Sequence, residues 1–276
     1  MTELSGLVTE TLGDVSALAL HAKDVIEAPL ESQDGEFVIM QDPSISFENV
    51  TFEYNNLKPL ISNLNFEIKA ASSLAVIGPT GSGKSTIAKL ILGFVEPTSG
   101  SVIISGYDTG KVNIKSLRSG MSAVLQNSMP SAGSIWDFIT SGIHVSPTTV
   151  NEITTAINLN ELIDELPMGY HTIISENGTN FSLAQQAKFL LARALISEPK
   201  ILILDDLLTN MSMDDVDSIL NYLHNKGITV IIIGQSYDIA CKANSLMIIE
   251  ENEVKTGSIQ TLKTSSRFLA RLDNLS

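Results

Sequence analysis

The chain has 276 residues, of which 43% are hydrophobic and 17% charged, a composition that provides a sizeable core and argues against intrinsic disorder. Its formal net charge is −14, and residues 1–53 hold eleven acidic residues against one lysine, which makes nucleic acid and anionic lipid surfaces poor partners. No apolar run exceeds four residues, whereas a membrane-spanning helix needs roughly 18 predominantly apolar residues. The single cysteine, Cys241, excludes an internal disulfide.

The first predicted element is a helix over residues 4–26, where one narrow apolar stripe recurs at steps of four and three residues and Pro29 ends the pattern. This helix is either an ordinary surface helix or a docking or linker helix. From Ser44 the apolar period changes to two, which predicts strands. The predicted strands are 45–52, 64–68, 73–77, 102–105, 122–125, 201–204, 229–233 and an antiparallel pair within 245–255.

The predicted helices alternate with these strands along the chain. They are 84–92, a mainly helical stretch 134–166, 182–197, 213–225 and a last helix near the end. Such alternation predicts an α/β fold with a mostly parallel sheet covered on both faces.

A glycine-rich loop between strand 73–77 and helix 84–92 matches the pattern G-x-x-x-x-G-K-[ST] at every fixed position. In such a loop, successive backbone N–H groups converge on phosphate oxygens, and the helix N-terminus adds partial positive charge. The lysine is expected to reach the β- and γ-phosphates, and the following serine hydroxyl to bind Mg²⁺. The residues expected to contact nucleotide here are Gly78, Pro79, Thr80, Gly81, Ser82, Gly83, Lys84, Ser85 and Thr86.

Two adjacent acids, Asp205 and Asp206, follow the apolar strand 201–204, at the edge where parallel sheets bind ligands. We expect Asp205 to hold Mg²⁺ through water and Asp206 to face the attacking water. Helix capping is the alternative role for such a pair.

Together these motifs resemble the nucleotide-binding domain of an ABC transporter, over about residues 44–272. Tyr54 occupies the position of the family's adenine-stacking aromatic, and Gln126 that of the glutamine that senses Mg²⁺ and the transmembrane domain. Segment 166–178 resembles the exporter-type segment ahead of the signature, and 191–195 matches the helix that follows the signature.

The resemblance implies a P-loop ABC-ATPase fold that binds ATP and Mg²⁺, with an N-terminal antiparallel β part and a helical subdomain at about 127–197. It implies that Ser182 and Gln185 of the signature contact ATP held by a second ABC ATPase domain. Residues 1–30 are expected to be a helix and linker, similar to the tail of a transmembrane domain, and residues 31–276 the ATPase domain.

Finer detail resembles exporters of bacteriocin-like peptides, the nitrile-hydratase-leader type among them. This likeness is carried by residues 124–127, 132–135 and 167–176. It implies a transmembrane partner, fused or separate, and a place at the cytoplasmic face of the cell membrane. The isolated domain is expected to be soluble.

Four positions depart from the family pattern. The signature, Leu-Ser-Gly-Gly-Gln in the family, is Phe-Ser-Leu-Ala-Gln at 181–185, which puts side chains where the family has bare backbone. Ser182 is still expected to cap its helix, with Gln185 completing a capping box. Asp206 replaces a glutamate, Gln235 the switch histidine, and Ser212 the D-loop aspartate. Asp206 is shorter by one methylene, and Gln235 cannot carry a positive charge.

Two functions from different classes follow. The first is an ATPase domain that drives export of a peptide, with weak or partner-dependent hydrolysis and a heterodimeric arrangement. In that case Asp206 and Gln235 are the catalytic residues, and Ser85, Gln126 and Asp205 hold the metal. The alternative is a degenerate regulatory subunit that binds ATP and dimerises without hydrolysing it.

Overall fold

The structure is a computed structural model, and it describes residues 35–54, 58–250 and 253–263. The predicted helix 4–26 and the rest of the segment 1–30 lie outside these ranges. The described chain contains one large, mostly parallel sheet, one smaller antiparallel sheet and a group of helices inserted between two strands of the large sheet.

The antiparallel sheet has the strand order β2-β1-β4-β5. Alternate residues of β1 are buried, as expected for a strand with one face on the core, although the register slips between Phe47 and Val50 and again before Phe52. The apolar spacing predicted one slip, between Phe47 and Val50, and the second shift was not predicted. The strands are β1 (Ile45–Phe52), β2 (Ile61–Ile68), β4 (Ser99–Ile104) and β5 (Tyr107–Asp108).

The large sheet has the order β12-β11-β3-β10-β9-β6, and only the edge strand β12 runs antiparallel to its neighbour. Its interior strand β9 is buried at every residue because helices cover both faces, which explains its continuous apolar run. The strands are β3 (Ser73–Ile77), β6 (Met121–Val124), β9 (Ile201–Asp205), β10 (Thr229–Gly234), β11 (Ser245–Glu250) and β12 (Glu253–Gly257).

Helices connect the strands of the large sheet. The N-terminus of α1 follows β3 directly, so the loop 78–83 lies at the carboxyl edge of the sheet. The helices outside the inserted group are α1 (Lys84–Ile91), α2 (Ile114–Arg118), α7 (Met213–Asn225), α8 (Tyr237–Lys242) and α9 (Ile259–Lys263).

The inserted group lies between β6 and β9 and packs its own apolar side chains against α7 and the large sheet. It begins with β7 (Gly133–Ser134), which pairs antiparallel with β8 (Ile173–Ile174) further along the group. Its helices are α3 (Ile135–Thr140), α4 (Pro147–Ala156), α5 (Asn160–Glu165) and α6 (Leu183–Ile196). The stretch 134–166 is therefore three helices, two of which begin after serine caps at Ser134 and Ser146.

Several predicted boundaries were wrong by one to three residues. The second strand begins at Ile61 rather than 64, since Ile61 is buried and pairs with Phe52. Strand β4 ends before Ser105, whose φ of 55° belongs to a turn. Strand β6 ends at Val124, so Leu125 is part of the following loop and is 36% exposed.

The predicted α/β class and mostly parallel sheet are confirmed, as is the antiparallel β part. Among the described helices, none combines the length and apolar composition that crossing a bilayer requires.

Candidate functional site

The glycine-rich loop connects the end of β3 to the start of α1 and needs glycine for two different reasons. A Cβ on Gly78 would lie 2.2 Å from the carbonyl oxygen of Ile249, so the close approach of β11 excludes a side chain. Gly83 is the N-cap of α1 with a φ of 101°, and no side chain caps the helix. The first N–H groups of α1 are thus left available to an anion.

Lys84 folds back over this loop. Its Nζ donates hydrogen bonds to the carbonyl oxygens of Gly78 (2.9 Å) and Pro79 (2.8 Å), and the residue is 8% exposed. Burial lowers the pKa of Lys84, while the carboxylates of Asp206 and Asp205 act in the opposite direction. Among the described side chains, the buried Ser82 Oγ has no hydrogen-bond partner. A phosphate oxygen in the loop would satisfy that hydroxyl and the ammonium group, so these residues fit an anionic ligand.

Asp205 is the last residue of β9 and lies across from the start of α1. Its Oδ2 accepts a hydrogen bond from Ser85 Oγ at 2.8 Å, and only 4% of the residue is exposed. Burial raises the pKa of Asp205; the hydrogen bond from Ser85 opposes this rise, the Asp206 charge adds to it, and the Lys84 charge opposes it. A hydroxyl and a carboxylate oxygen side by side are the hard ligands that Mg²⁺ prefers, so the pair fits the expected metal.

Asp206 begins the next segment with a left-handed backbone conformation. Its φ is 58°, and its N–H donates to the carbonyl oxygen of Ile233, which ties it to β10. Gln126, in the loop after β6, donates from Nε2 to Asp206 Oδ2 at 3.2 Å. The predicted glutamine and the second acid therefore meet at the carboxyl edge of the sheet.

Gln235 follows β10 and contacts the glycine-rich loop from the other side. Its Nε2 donates to Thr80 Oγ1 at 3.1 Å. The residue at the switch position therefore contacts the loop through its side-chain amide, which supplies one hydrogen-bond donor but no charge.

Tyr54 lies beside the first turn of α1. Its hydroxyl oxygen is 3.4 Å from Thr86 Oγ1, and its ring makes an edge contact with Phe52 at a centroid distance of 4.7 Å. The residue is 38% exposed, so part of the ring faces solvent next to the glycine-rich loop. Such a ring can stack on a planar ligand.

The signature residues Ser182 and Gln185 are held by each other. The N–H of Ser182 donates to Gln185 Oε1 at 2.8 Å, and the N–H of Gln185 donates to Ser182 Oγ at 3.3 Å, which completes the expected capping box of α6. Leu183, the first residue of the helix, is 64% exposed. Within the described residues, no hydrogen bond links this helix end to the glycine-rich loop.

Sequence reasoning missed a polar cluster next to the signature helix. Lys188 of α6 binds Asp215 in the first turn of α7, and Ser212 caps that turn. Of these residues only Ser212 stands out in the sequence, as a departure from the family pattern. The pattern S-x-x-D at 212–215 is a signal for the cap, but nothing local points to Lys188 as the partner.

Comparison with known proteins gives the family context of this geometry. Residues 61–209 match the family model described as "ABC transporter". The chain is 30% identical over 256 residues to an uncharacterised ABC transporter ATP-binding protein, YfiC, of Bacillus subtilis, covering 90% of this chain and 42% of that protein. It is 33% identical over 238 residues to the alpha-hemolysin translocation ATP-binding protein HlyB of Escherichia coli, covering 84% of this chain and 33% of the relative.

Among solved structures, the chain resembles a bacterial Atm1-family ABC exporter with ATP bound. The TM-score is 0.81 at 26% identity, and the alignment covers 90% of this chain and 44% of the other. The chain thus spans between a third and a half of the length of these proteins.

Proposed function

Since this chain belongs to the ABC transporter family, as an ATP-binding domain of the exporter type, we propose that it binds Mg-ATP and works with a transmembrane domain to export a bacteriocin-like peptide. The observation that carries the nucleotide part is the meeting of Lys84, Ser85, Asp205 and Asp206 at one edge of the sheet. The likeness to a relative named for alpha-hemolysin translocation supports export. The peptide substrate rests on the segments 124–127, 132–135 and 167–176.

ATP binding uses groups that act on the ground-state nucleotide. The N–H groups of residues 81–86 and the ammonium group of Lys84 hold the phosphates, and Tyr54 stacks on the base. Ser82 Oγ, buried without a protein partner among the described residues, is a further donor for a phosphate oxygen. The hydrogen bonds from Lys84 to Gly78 and Pro79 are exchanged for bonds to phosphate when nucleotide enters.

Ser85, Asp205 and Gln126 would hold Mg²⁺, which, when bound, offsets the charge that develops on the phosphate oxygens. Asp206 is the proposed base or water-positioning group, and its hydrogen bond from Gln126 orients the carboxylate. Gln235 offers one neutral donor from the Thr80 side. Hydrolysis is therefore weak, because the carboxylate is one methylene short and the charged switch residue is absent.

A second ABC ATPase domain supplies the other half of each nucleotide site. The exposed side chain of Leu183 and the methyl group of Ala184 crowd the N-terminus of α6, so two copies of this chain would form two poor sites. A partner with glycines at these positions would complete the site at this chain's glycine-rich loop. We therefore propose a heterodimer.

The surface proposed for the transmembrane domain is a groove between β6 and α6, with a volume of about 430 Å³. Val124, Met129, Leu190 and Arg193 line it, and Met129 is 59% exposed. Such a groove, which mixes apolar side chains with Ser122, Ser128 and one cation, suits the end of an amphipathic partner helix. It adjoins Gln126, so that occupancy of the groove and the position of Gln126 can affect each other.

Thermal unfolding with and without Mg-ATP tests the nucleotide assignment. At a ligand concentration about 100 times Kd, binding adds roughly 2.7 kcal/mol of stability, which corresponds to a rise in Tm of about 5–10 °C. Lys84→Ala should abolish most of the rise. Lys115→Ala, which removes an exposed lysine on α2, should leave it unchanged. Equal rises in wild type and Lys84→Ala, or none in wild type at millimolar Mg-ATP, would contradict the proposal.

A further inference from the structure

A partly buried ion pair joins two helices next to the site. Lys188 lies in the second turn of α6, and its Nζ donates to Asp215 Oδ1 at 2.8 Å and to the carbonyl oxygen of Asn158 at 3.0 Å. The side chains of Lys188 and Asp215 are 14% and 16% exposed. The pair therefore links α6, the loop between α4 and α5, and the N-terminus of α7.

Further hydrogen bonds hold Asp215, one from the loop between α4 and α5 and two within the cap of α7. Asn158 Nδ2 donates to Asp215 Oδ1 at 3.1 Å, and Ser212 Oγ donates to Oδ2 at 2.9 Å, while the N–H of Asp215 donates to Ser212 Oγ at 3.1 Å. Burial by itself would raise the pKa of Asp215, but these hydrogen bonds and the Lys188 charge lower it. Asp215 is thus a charged group, and both of its carboxylate oxygens accept hydrogen bonds. We call Lys188, Asp215, Ser212 and Asn158 the α6–α7 clamp.

The pair of Lys188 and Asp215 is less exposed than two other ion pairs at α7. Lys242 and Asp217, which join α8 to α7, are 36% and 46% exposed, and Lys226 and Glu152 are 46% and 54% exposed. A buried ion pair adds little net stability, because the cost of desolvating the two charges offsets their attraction. Removing one partner nevertheless disfavours the packed arrangement, because the other charge is then left buried without a counter-ion. In some proteins such a pair fixes the relative position of the elements that it joins rather than adding stability.

The ion pair lies at the end of the segment that follows Asp206. The segment 207–212 runs from Asp206 to the cap of α7, and its middle part, Leu208–Asn210, is a short 3-10 helix in which Leu208 is 2% exposed. That segment also packs on α6, the helix that begins with the signature. Its far end is Ser212, which hydrogen-bonds to Asp215, the partner of Lys188, while Met211 beside it is buried in the same apolar core as α6.

We infer that the α6–α7 clamp positions the segment 207–212 against the signature helix, with Lys188 and Asp215 as positioning residues. The clamp thereby fixes the position of the segment that follows Asp206 relative to the N-terminus of α6. Its importance for ATP chemistry rests on the proposed function, whereas the clamp itself is a property of the protein without nucleotide.

Amide hydrogen exchange of the whole chain without nucleotide tests the clamp directly. In Lys188→Met, which keeps the aliphatic stem and removes the charge, exchange at residues 207–216 and 157–160 should be faster by roughly tenfold. Exchange in β9 and β10 should stay as in wild type. Lys188→Arg, which restores a donor and a charge, should recover most of the protection.

Lys242→Met is the matched control, because it breaks an ion pair of the same helix away from α6. Unchanged exchange at residues 207–216 in Lys188→Met, or equal acceleration in Lys242→Met, would overturn the inference. Asp215→Asn, which keeps a hydrogen-bonding group of the same shape, gives the same test if Lys188→Met does not fold.

The Mg-ATP thermal shift of the same variants separates this inference from the proposed function. Lys188→Met should keep the wild-type shift, since the clamp has no member in the glycine-rich loop. Loss of the shift in Lys188→Met with unchanged exchange at 207–216 would count against the clamp. Absence of the shift in wild type would contradict ATP binding and leave the exchange result standing as the test of the clamp.

Discussion

Two adjacent carboxylates at the end of β9 have different surroundings, and this difference supports the separate roles proposed for them. Asp205 is buried and accepts a hydrogen bond from Ser85, whereas Asp206 leaves the strand with a φ of 58° and accepts one from Gln126. The change of backbone conformation between them directs the two side chains to different partners. In the proposed mechanism the first is the metal ligand and the second acts on water.

The rate of hydrolysis tests the role of Asp206. Asp206 is short, Gln235 lacks a charge, and the signature of a second copy is bulky, so we expect turnover to be slower than in an ordinary member by about a hundredfold or more. These defects act on one transition state and need not add. Asp206→Glu alone should therefore help little in a steady-state phosphate-release assay. The variant that combines it with Gln235→His, Leu183→Gly and Ala184→Gly should regain measurable activity.

The control for that series is Asp206→Ala in the wild-type background. If wild type already hydrolyses several ATP molecules per second, and Asp206→Ala leaves this rate unchanged, the assignment of Asp206 is wrong.

At the scale of elements, serine caps set where the helices beside the site begin. Ser182 starts α6 with a capping box, and Ser212 starts α7 by accepting the N–H of Asp215. Ser212 also donates to the Asp215 carboxylate, so it uses its hydroxyl in both directions. The serine at the D-loop position and the acid three residues later thus depend on each other.

Replacing Ser212 by the family's aspartate should destabilise this chain. Aspartate is as good an N-cap as serine, so the helix alone predicts no loss. The structure predicts a loss of stability, because an aspartate at 212 has no hydroxyl to donate. Its carboxylate would also face the carboxylate of Asp215, whose Oδ2 is 2.9 Å from Ser212 Oγ. We expect Ser212→Asp to lower the free energy of unfolding by about 1 kcal/mol in urea denaturation.

A double-mutant cycle with Asp215→Asn isolates the cause. In the Asp215→Asn background, Ser212→Asp should be close to neutral, since the amide can donate to the new carboxylate. A loss of the same size in both backgrounds would show that repulsion from Asp215 is not responsible.

At the scale of the whole molecule, the proposed partner preference follows from the exposed signature end. Leu183 is 64% exposed at the start of α6, where a second domain is expected to bring its nucleotide. Two copies of this chain should therefore associate weakly in Mg-ATP. Sedimentation velocity should show mainly monomer at micromolar concentration, and Leu183→Gly with Ala184→Gly should shift the distribution toward dimer. A tight Mg-ATP-dependent homodimer of the wild-type chain would argue against an obligate second subunit.

Local sequence determined the parts of this protein that depend on neighbouring residues. The loop 78–85, the α/β alternation, the S-x-x-Q cap at 182–185 and the acids after β9 were all predicted, because glycine conformation, capping and apolar periodicity act over a few residues. Strand ends were less certain, since burial of residues such as Ile61 depends on distant partners.

Only the tertiary structure decided which distant side chains meet. Gln126 and Asp206 are 80 residues apart, Gln235 and Thr80 are 155 apart, and Lys188 and Asp215 are 27 apart. The first two pairs form because β6, β9, β10 and β3 are neighbouring parallel strands, so the segments that leave their carboxyl ends converge at one edge. The third forms because α6 packs beside the start of α7, an arrangement set by apolar burial that leaves no signature in the local sequence of either helix.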